Sequence, residues 1–166
     1  MSKGNGKNEE KASKGTKPEP RLKENVKVAL VRVRGQEGLK YEIKDTLNML
    51  NLSKKNFCTV ITNTPSMKGM INKIKDYVTY GEIDSETYKL LIEKRGVEYT
   101  GPETDSKGKI KYKRFITEGE KKIKKYFRLN SPKKGYGRKG IKWVFSKGGA
   151  LGYRGAKIND LIKRMV

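Results

Sequence analysis

The chain contains no histidine and a single cysteine, Cys58, among its 166 residues. Histidine is the most frequent general base and metal ligand in proteins, so its absence removes the usual starting point for catalysis. One cysteine cannot form a disulfide within the chain, which favours a reducing compartment, the cytoplasm. Because Cys58 lies in an apolar segment and no histidine can serve as its base, we expect a buried structural thiol there.

Long apolar runs are also missing. No segment approaches the roughly 18 apolar residues that a membrane-spanning helix needs, and the N-terminal residues MSKGNGKNEEKASKG lack the apolar run of a signal peptide. We therefore expect no membrane partner. The carboxylates are scattered without the spacing of metal ligands, so we expect no metal, no cofactor and no enzymatic activity.

Acidic residues are absent between Lys121 and Asn159. This segment of 39 residues contains thirteen lysines and arginines, seven glycines and six aromatic residues. Like charges at this density repel one another and disfavour a compact state unless an anion lies against them. The chain has a net charge of +22, of which +15 falls in residues 101–166. We expect a polyanionic partner, and the mixture of cations, glycines and flat rings favours a nucleic acid over a membrane.

Apolar periodicity predicts the elements of the first half of the chain. Strands are expected over residues 27–35, 56–62 and 78–83, and helices within 41–52 and from Pro65 onward, with Thr64 as a cap. A third helix is expected over 85–95, capped by Asp84 and ended by Gly96. The pattern predicts an α+β fold with a small β-α-β-α-β core, in which two helices pack on one small sheet.

The rest of the chain is basic. Residues 109–117 are β-like, residues 118–127 fit a short helix, and an apolar stripe over 156–165 predicts a closing helix. We divide the chain into a flexible basic N-terminal tail (1–26), the α+β core (27–96) and a basic, glycine-rich, RNA-binding C-terminal extension that ends in a helix (97–166). The tail is expected to be disordered in the free protein because its polar residues show no apolar periodicity.

Two glycine-rich segments invite a functional interpretation. Residues 135–140, GYGRKG, match the G-x-G-x-x-G pattern of dinucleotide-binding loops, but a turn precedes them and no acid follows at the required spacing. We interpret them instead as a flexible loop whose backbone can approach phosphates. Residues 148–155 lead into the closing helix. Their glycines either bring phosphate to the helix start or only form a tight turn, and both interpretations stay open.

The candidate RNA-binding side chains are cations and one aromatic. The main set is Arg114, Arg128, Lys133, Lys134, Tyr136, Arg138, Lys139, Lys142 and Arg154, and the secondary set is Arg32, Arg34, Lys54 and Lys55. Tyr136 lies between two glycines and among cations, and we expect it to stack on an unpaired base. For each single cation, the alternative is an ordinary solvated surface charge.

Several segments together resemble the L-thirty family of large-subunit ribosomal proteins, in its long archaeal and eukaryotic form. The C-terminal signature is carried by residues 127–136 (FRLNSPKKGY), 140–143 (GIKW) and 148–165 (GGALGYRGAKINDLIKRM). The core is similar over residues 44–52 (KDTLNMLNL), 58–61 (CTVI), 68–78 (KGMINKIKDYV), 80–83 (YGEI) and 90–96 (LLIEKRG). The segment 97–126 is shorter and more basic than the acidic insert expected of the family, and the tail matches no family pattern.

The resemblance implies a core with some likeness to ferredoxin-like folds and a structural role on large-subunit ribosomal RNA near the 5S RNA. It also implies neighbouring ribosomal proteins as partners, a cytoplasmic ribosomal location and no homo-oligomer. We therefore expect a non-enzymatic constituent of the large ribosomal subunit that binds ribosomal RNA through a basic glycine-rich surface. The alternative is a free RNA chaperone or ribosome assembly factor that keeps a ribosomal-protein-like core.

Overall fold

The computed structural model describes residues 26–112, 114–119 and 121–166, so nearly all of the predicted tail, residues 1–25, lies outside the described residues. Within them the chain forms seven strands and four α-helices. In chain order these are β1 (Lys27–Arg32), α1 (Tyr41–Met49), β2 (Phe57–Thr62), α2 (Pro65–Ile74), β3 (Val78–Glu82), α3 (Ser85–Arg95), β4 (Phe115–Glu118), β5 (Lys121–Lys124), β6 (Phe127–Arg128), β7 (Gly152–Tyr153) and α4 (Ile158–Met165). Short 3-10 turns at Phe145–Lys147 and Gly155–Lys157 flank β7.

Five strands form one mixed sheet in the order β6-β2-β1-β3-β7, and β4 pairs with β5 in a separate two-stranded sheet. The central strand β1 is antiparallel to both of its neighbours, so that Val31 lies opposite Cys58 on β2 and opposite Thr79 on β3. The short β7 runs parallel to β3. The predicted α+β fold is confirmed, and the β-α-β-α-β core is consistent with a ferredoxin-like arrangement.

Helices cover both faces of the five-stranded sheet. Side chains alternate across a strand, so Val28 and Leu30 pack against α1 and α2 whereas Ala29 and Val31 pack against α3 and α4. All four side chains are fully buried. This two-sided burial explains why β1 is a continuous apolar run rather than an alternating one. The prediction placed only two helices on the sheet, and the structure adds a second helical layer.

Residues from the predicted extension complete the same hydrophobic core. Phe127 on β6 and Leu161 on α4 are fully buried and pack with Ala29 and Cys58 of the first two strands. The boundary at residue 96 therefore separates regions of different charge but does not separate two hydrophobic cores.

The predicted helix over residues 118–127 is wrong, because the described residues there form β5 and β6. In β5, Ile123 is buried opposite Ile116 of β4, and the lysines on either side of it are more exposed. The antiparallel pairing of β5 with β4 therefore defines this segment as a strand. The β-like segment 109–117 contributes to β4 only from Phe115 onward.

The helix starts show one confirmed cap and one replaced cap. Thr64 Oγ1 accepts a hydrogen bond from the Met67 N–H at 3.3 Å, as predicted. Asp84 occupies the cap position of α3 but makes no side-chain capping bond. Instead its N–H donates to Asn159 Oδ1 at 3.1 Å, and Asn159 Nδ2 donates to the Glu82 carbonyl at 3.2 Å. The predicted capping contact of Asp84 is thus absent, and in its place the Asn159 amide of α4 fixes the backbone that enters α3.

Candidate nucleic-acid interface

Asn56 joins the sheet to residues 130–151, which we call the basic loop. Its N–H donates to the Arg32 carbonyl at 2.8 Å, where β1 ends, and its carbonyl accepts from the Leu129 N–H at 3.2 Å. Its side-chain Nδ2 donates to Ser131 Oγ at 3.3 Å, and its Oδ1 accepts from the Tyr136 hydroxyl. The basic loop therefore lies at the end of the sheet where β1 ends and β2 begins.

The C-terminal end of α4 holds the first part of the basic loop. The Asn130 N–H donates to the Met165 carbonyl at 3.0 Å, and the Lys133 N–H donates to the Arg164 carbonyl at 3.1 Å. Arg164 Nη1 returns two hydrogen bonds, to the Lys133 carbonyl at 3.0 Å and to the Gly135 carbonyl at 3.1 Å. These contacts satisfy helix-end carbonyls and fix the loop to the core.

The second part of the basic loop is packed backbone against backbone. The Trp143 carbonyl accepts from the N–H groups of Ala150 at 2.9 Å and Leu151 at 3.1 Å. A Cβ added at Gly149 would overlap the Trp143 carbonyl, and one at Gly137 would lie 2.7 Å from the Gly149 carbonyl. Gly137 and Gly149 therefore make room for the protein's own backbone, whereas a Cβ at Gly135 or Gly140 would meet nothing within 4 Å, so the approach of this loop to phosphates stays a prediction.

Seven candidate cations are exposed on or beside this anchored loop. They are Lys54, Lys55, Lys133, Lys134, Arg138, Lys139 and Lys142. Within the described part of the chain, none of them forms an ion pair. Since residues 121–159 contain no acid, the positive potential of this surface is not offset by neighbouring carboxylates along the loop. The arrangement is suited to binding an extended polyanion.

Arg32 is not on that surface, although we predicted it as a secondary contact. Only 1% of the residue is exposed. Its guanidinium donates to the carbonyls of Leu52 at 2.7 Å and Ser53 at 2.6 Å, and also to those of Arg34 and Gly35. Burial lowers the pKa of Arg32 from its ordinary value. Its donors join the segments after β1 and α1, so Arg32 is a structural residue.

Arg154, which we predicted as a main RNA-binding residue, is likewise buried. Its Nη2 donates to the carbonyls of Tyr136 at 3.2 Å and Ala150 at 3.3 Å, while its Nε donates to Thr79 Oγ1 at 3.3 Å. Its guanidinium carbon lies 4.3 Å from the centre of the Phe145 ring. Burial, with a smaller contribution from the charge of Arg164, lowers the pKa of Arg154 to about 10. The side chain remains a cation at neutral pH and holds the basic loop to β3.

Tyr136 is half-buried and packs against two apolar clusters, one of which contains Val33, Ala150 and Leu151. Its hydroxyl donates to Asn56, and burial raises the pKa of Tyr136 to about 12. The structure therefore gives this ring a packing role in place of the expected free stacking face. The exposed aromatic side chain of the loop is Trp143, with 51% of its surface accessible. Both rings lie in a basic, glycine-rich segment, and no local pattern indicated which of them is exposed.

Three further candidate RNA-binding residues, Arg34, Arg128 and Arg114, lie outside the basic loop. Arg34 donates to the Asp76 carbonyl at 3.4 Å and lies 5.0 Å from the Tyr77 ring. Arg128, on the edge strand β6, lies 5.9 Å from the Phe57 ring. Arg114 immediately precedes β4 of the separate two-stranded sheet, so the structure does not group it with the basic loop.

Cys58 and the two glycine-rich segments have structural explanations. Cys58 is fully buried, and burial raises the pKa of its thiol to about 12, which agrees with the expected inert thiol. Residues 135–140 follow no strand and open no helix, so the dinucleotide interpretation has no structural support. In the 148–155 segment, the Gly155 carbonyl lies so close to β3 that a Cβ at Gly81 would overlap it. This close packing fits the tight-turn interpretation. No helix among the described residues is long and apolar enough to cross a membrane.

Comparison with known proteins matches the chain to a family. The model of the ribosomal protein L30p/L7e family matches residues 28–78, from β1 to the first residue of β3. The large ribosomal subunit protein uL30 of Nanoarchaeum equitans is 45% identical over 153 residues, covering 83% of this chain and 97% of the relative. Those of Methanococcus maripaludis and Methanopyrus kandleri are 46% and 42% identical, covering 83% and 81% of this chain. The chain belongs to the uL30 family.

Membership of the uL30 family confirms the resemblance to the L-thirty ribosomal proteins in their archaeal form. The matches to full-length uL30 proteins extend well beyond the residues of the family model, which ends before the basic loop. They cover 97% and 98% of the first two relatives, so the chain spans nearly their whole length.

Proposed function

We propose that this protein is a structural constituent of the large ribosomal subunit and binds ribosomal RNA through the basic loop together with Lys54 and Lys55. The observation that carries the proposal is a set of seven exposed cations, without ion-pair partners among the described residues, on an anchored backbone. Membership of the uL30 family supports a place in translation, in the large subunit of the cytoplasmic ribosome.

Binding of this kind follows from charge and geometry. Each lysine or arginine that neutralises a phosphate releases condensed counterions, and such contacts position a protein without reading sequence. Recognition of folded RNA therefore depends on shape. Hydrogen bonds from α4, Asn56 and Arg154 already fix the loop. The loop therefore loses little conformational entropy when RNA binds. Arg34, Arg114 and Arg128 remain proposed contacts at the periphery.

The finer placement rests on the resemblance rather than on the geometry. We propose a position near the 5S RNA, in contact with neighbouring ribosomal proteins. Chemical footprinting of large-subunit RNA in subunits with and without the protein tests this placement. Protection confined to RNA remote from the 5S RNA would contradict it and leave the rest of the proposal intact.

The RNA-binding proposal is tested by titrating the full-length chain with large-subunit ribosomal RNA between about 50 and 200 mM salt. We expect log affinity to fall steeply and linearly with log salt, by roughly 0.7 per phosphate contact to single-stranded RNA. Affinity that stays flat over this range would overturn the proposal.

Sedimentation of a cell lysate at high magnesium separates the structural constituent from the alternative. We expect the protein to sediment with the large subunit. A mostly free pool would favour a chaperone or assembly factor.

A further inference from the structure

Trp143 is exposed on the basic loop although it is the largest apolar side chain there. Half of its surface is accessible, and its neighbours Ile141 and Val144 are exposed by 36% and 39%. A single exposed apolar residue needs no explanation, but three within four positions form a patch. These three side chains do not contribute to the protein's own core. Contact with a partner would explain why apolar residues occupy these exposed positions.

Two ammonium groups flank the indole. Lys139 Nζ lies 5.8 Å and Lys147 Nζ lies 6.0 Å from the ring centre. Both lysines are exposed, as is the adjacent Lys142. A flat apolar ring between cations is the combination that binds nucleic acid strands, because the ring stacks on a base and the cations meet the flanking phosphates.

The backbone under the indole is held in place, and the ring keeps half of its surface accessible with two ammonium groups close to it. The Trp143 carbonyl accepts two hydrogen bonds, from the N–H groups of Ala150 and Leu151, and Gly149 packs directly against it. The main chain that presents the ring therefore resists displacement. A platform prepared in this way loses less conformational entropy when a ligand binds.

We propose that Trp143 is a stacking platform for an unpaired nucleotide of ribosomal RNA, with Lys139 and Lys147 contacting the phosphates on either side. The inference rests on the proposed function, because it specifies the ligand of the same basic loop. Trp143 takes the stacking role that was predicted for Tyr136, whose ring packs inside the protein. A nucleotide fits this site better than an apolar protein segment because a purely apolar partner would leave the two ammonium groups without anions.

Trp143 is the only tryptophan of the chain, so its fluorescence reports on this site alone. The full-length protein is titrated with poly(U) RNA and, separately, with inorganic polyphosphate, which has the charges but no bases. Binding of each polyanion is followed independently by light scattering. We expect poly(U) to quench the Trp143 emission by half or more and polyphosphate to bind with little quenching. Equal emission changes with both bound polyanions would overturn the stacking platform and leave charge-driven binding intact. Failure of poly(U) to bind at all would overturn the stacking platform, whereas the proposed function fails only if large-subunit ribosomal RNA also does not bind.

Substitutions give a second, independent readout. We expect Trp143→Ala to weaken binding to poly(U) roughly 5- to 100-fold, the range that one stacked base contributes, and Trp143→Phe to recover most of the loss. The salt dependence should stay unchanged because no charge is removed. Met49→Ala is the control, because Met49 is 65% exposed but lies beside Thr62 and Met67, away from the basic loop. Unchanged poly(U) affinity of Trp143→Ala, with an unchanged unfolding temperature, would contradict the proposal. It would do so even if this variant failed to enter subunits, because Trp143 would then contact a protein.

Discussion

The two sides of the basic loop have similar residues and opposite environments. On the inner side, Tyr136 of the loop is half-buried and bonds to Asn56, and Arg154, which follows the loop, is buried and donates to the loop carbonyls of Tyr136 and Ala150. On the outer side, Lys133, Lys134, Arg138, Lys139 and Lys142 are exposed and form no ion pair among the described residues. We therefore expect the inner residues to maintain the shape of the loop and the outer residues to contact its proposed RNA partner.

The buried arginines show how a cation serves the inner side. Arg32 and Arg154 both donate mainly to backbone carbonyls, which lie in segments that have no regular partner of their own. Carbonyl acceptors satisfy the guanidinium donors without the carboxylate that a buried ion pair would need. Each arginine thereby fastens an irregular segment to the end of a strand, Arg32 at β1 and Arg154 beside β3.

The largest effect is expected from removing an inner arginine. Arg154→Ala should lower the free energy of unfolding by about 3 kcal/mol, because Tyr136 and Ala150 carbonyls would lose a donor inside the protein. Urea denaturation measures this change. Arg138→Ala is the matched outer control and should change stability by less than about 0.5 kcal/mol. Comparable destabilisation by the two variants would remove the distinction between the two sides.

Removing the outer charges should affect binding and spare stability. Replacing Lys133, Lys134, Arg138, Lys139 and Lys142 with glutamine should weaken binding to large-subunit RNA roughly 100-fold and reduce the salt slope by about 3 to 4. The matched control replaces the same number of exposed lysines on the helices, Lys40, Lys44, Lys68, Lys89 and Lys94. Filter binding over a salt series distinguishes them. Equal losses for both variants would mean that net charge, rather than this surface, drives binding.

The sequence predicted the regular elements because their signals are local. Periodicity marked β1, the first three helices and α4, and the Thr64-Pro65 pair marked the start of α2. It failed at residues 118–127, where one buried isoleucine among lysines carries too little periodicity to separate a helix from a strand.

The division into inner and outer sides was not predictable from local patterns. Arg154 and Arg138 both lie in glycine-rich, basic surroundings along the sequence. What buries Arg154 is its contact with Thr79, 75 residues earlier, and Tyr136 is drawn inward by Asn56, 80 residues earlier. Such partners are set by the tertiary fold. Composition therefore indicated the segment that we propose binds a polyanion, whereas only the packing separated its exposed cations from its buried ones.

A smaller effect is expected from alkaline pH. The pKa of Tyr136 is about 12 in the folded protein and ordinarily 10.0, so above pH 10 the unfolded chain loses its phenolic proton first. Stability from this group is complete below pH 10 and is lost as pH rises toward 12. Urea denaturation at pH 9, 10 and 11 should show a shallower decline for Tyr136→Phe than for the unchanged protein. Parallel declines would show that Tyr136 does not titrate as an inner residue.

At neutral pH the same substitution should have the smallest effect. Tyr136→Phe removes the hydrogen bond to Asn56 and keeps the ring, so we expect a loss of about 1 kcal/mol in the free energy of unfolding. RNA affinity should change less than twofold, because the ring packs inside the protein. A larger loss of affinity than of stability would return Tyr136 to the outer side as a direct contact.

The most direct test of the account compares lysine reactivity in the free protein and in the assembled large subunit. Brief acetylation followed by mass spectrometry reports each lysine separately. We predict that Lys133, Lys134, Lys139 and Lys142 react readily in the free protein and become protected in the subunit, with Lys54 and Lys55 protected beside them. If the lysines of the basic loop react equally in both states, this surface does not face ribosomal RNA and the central claim is contradicted.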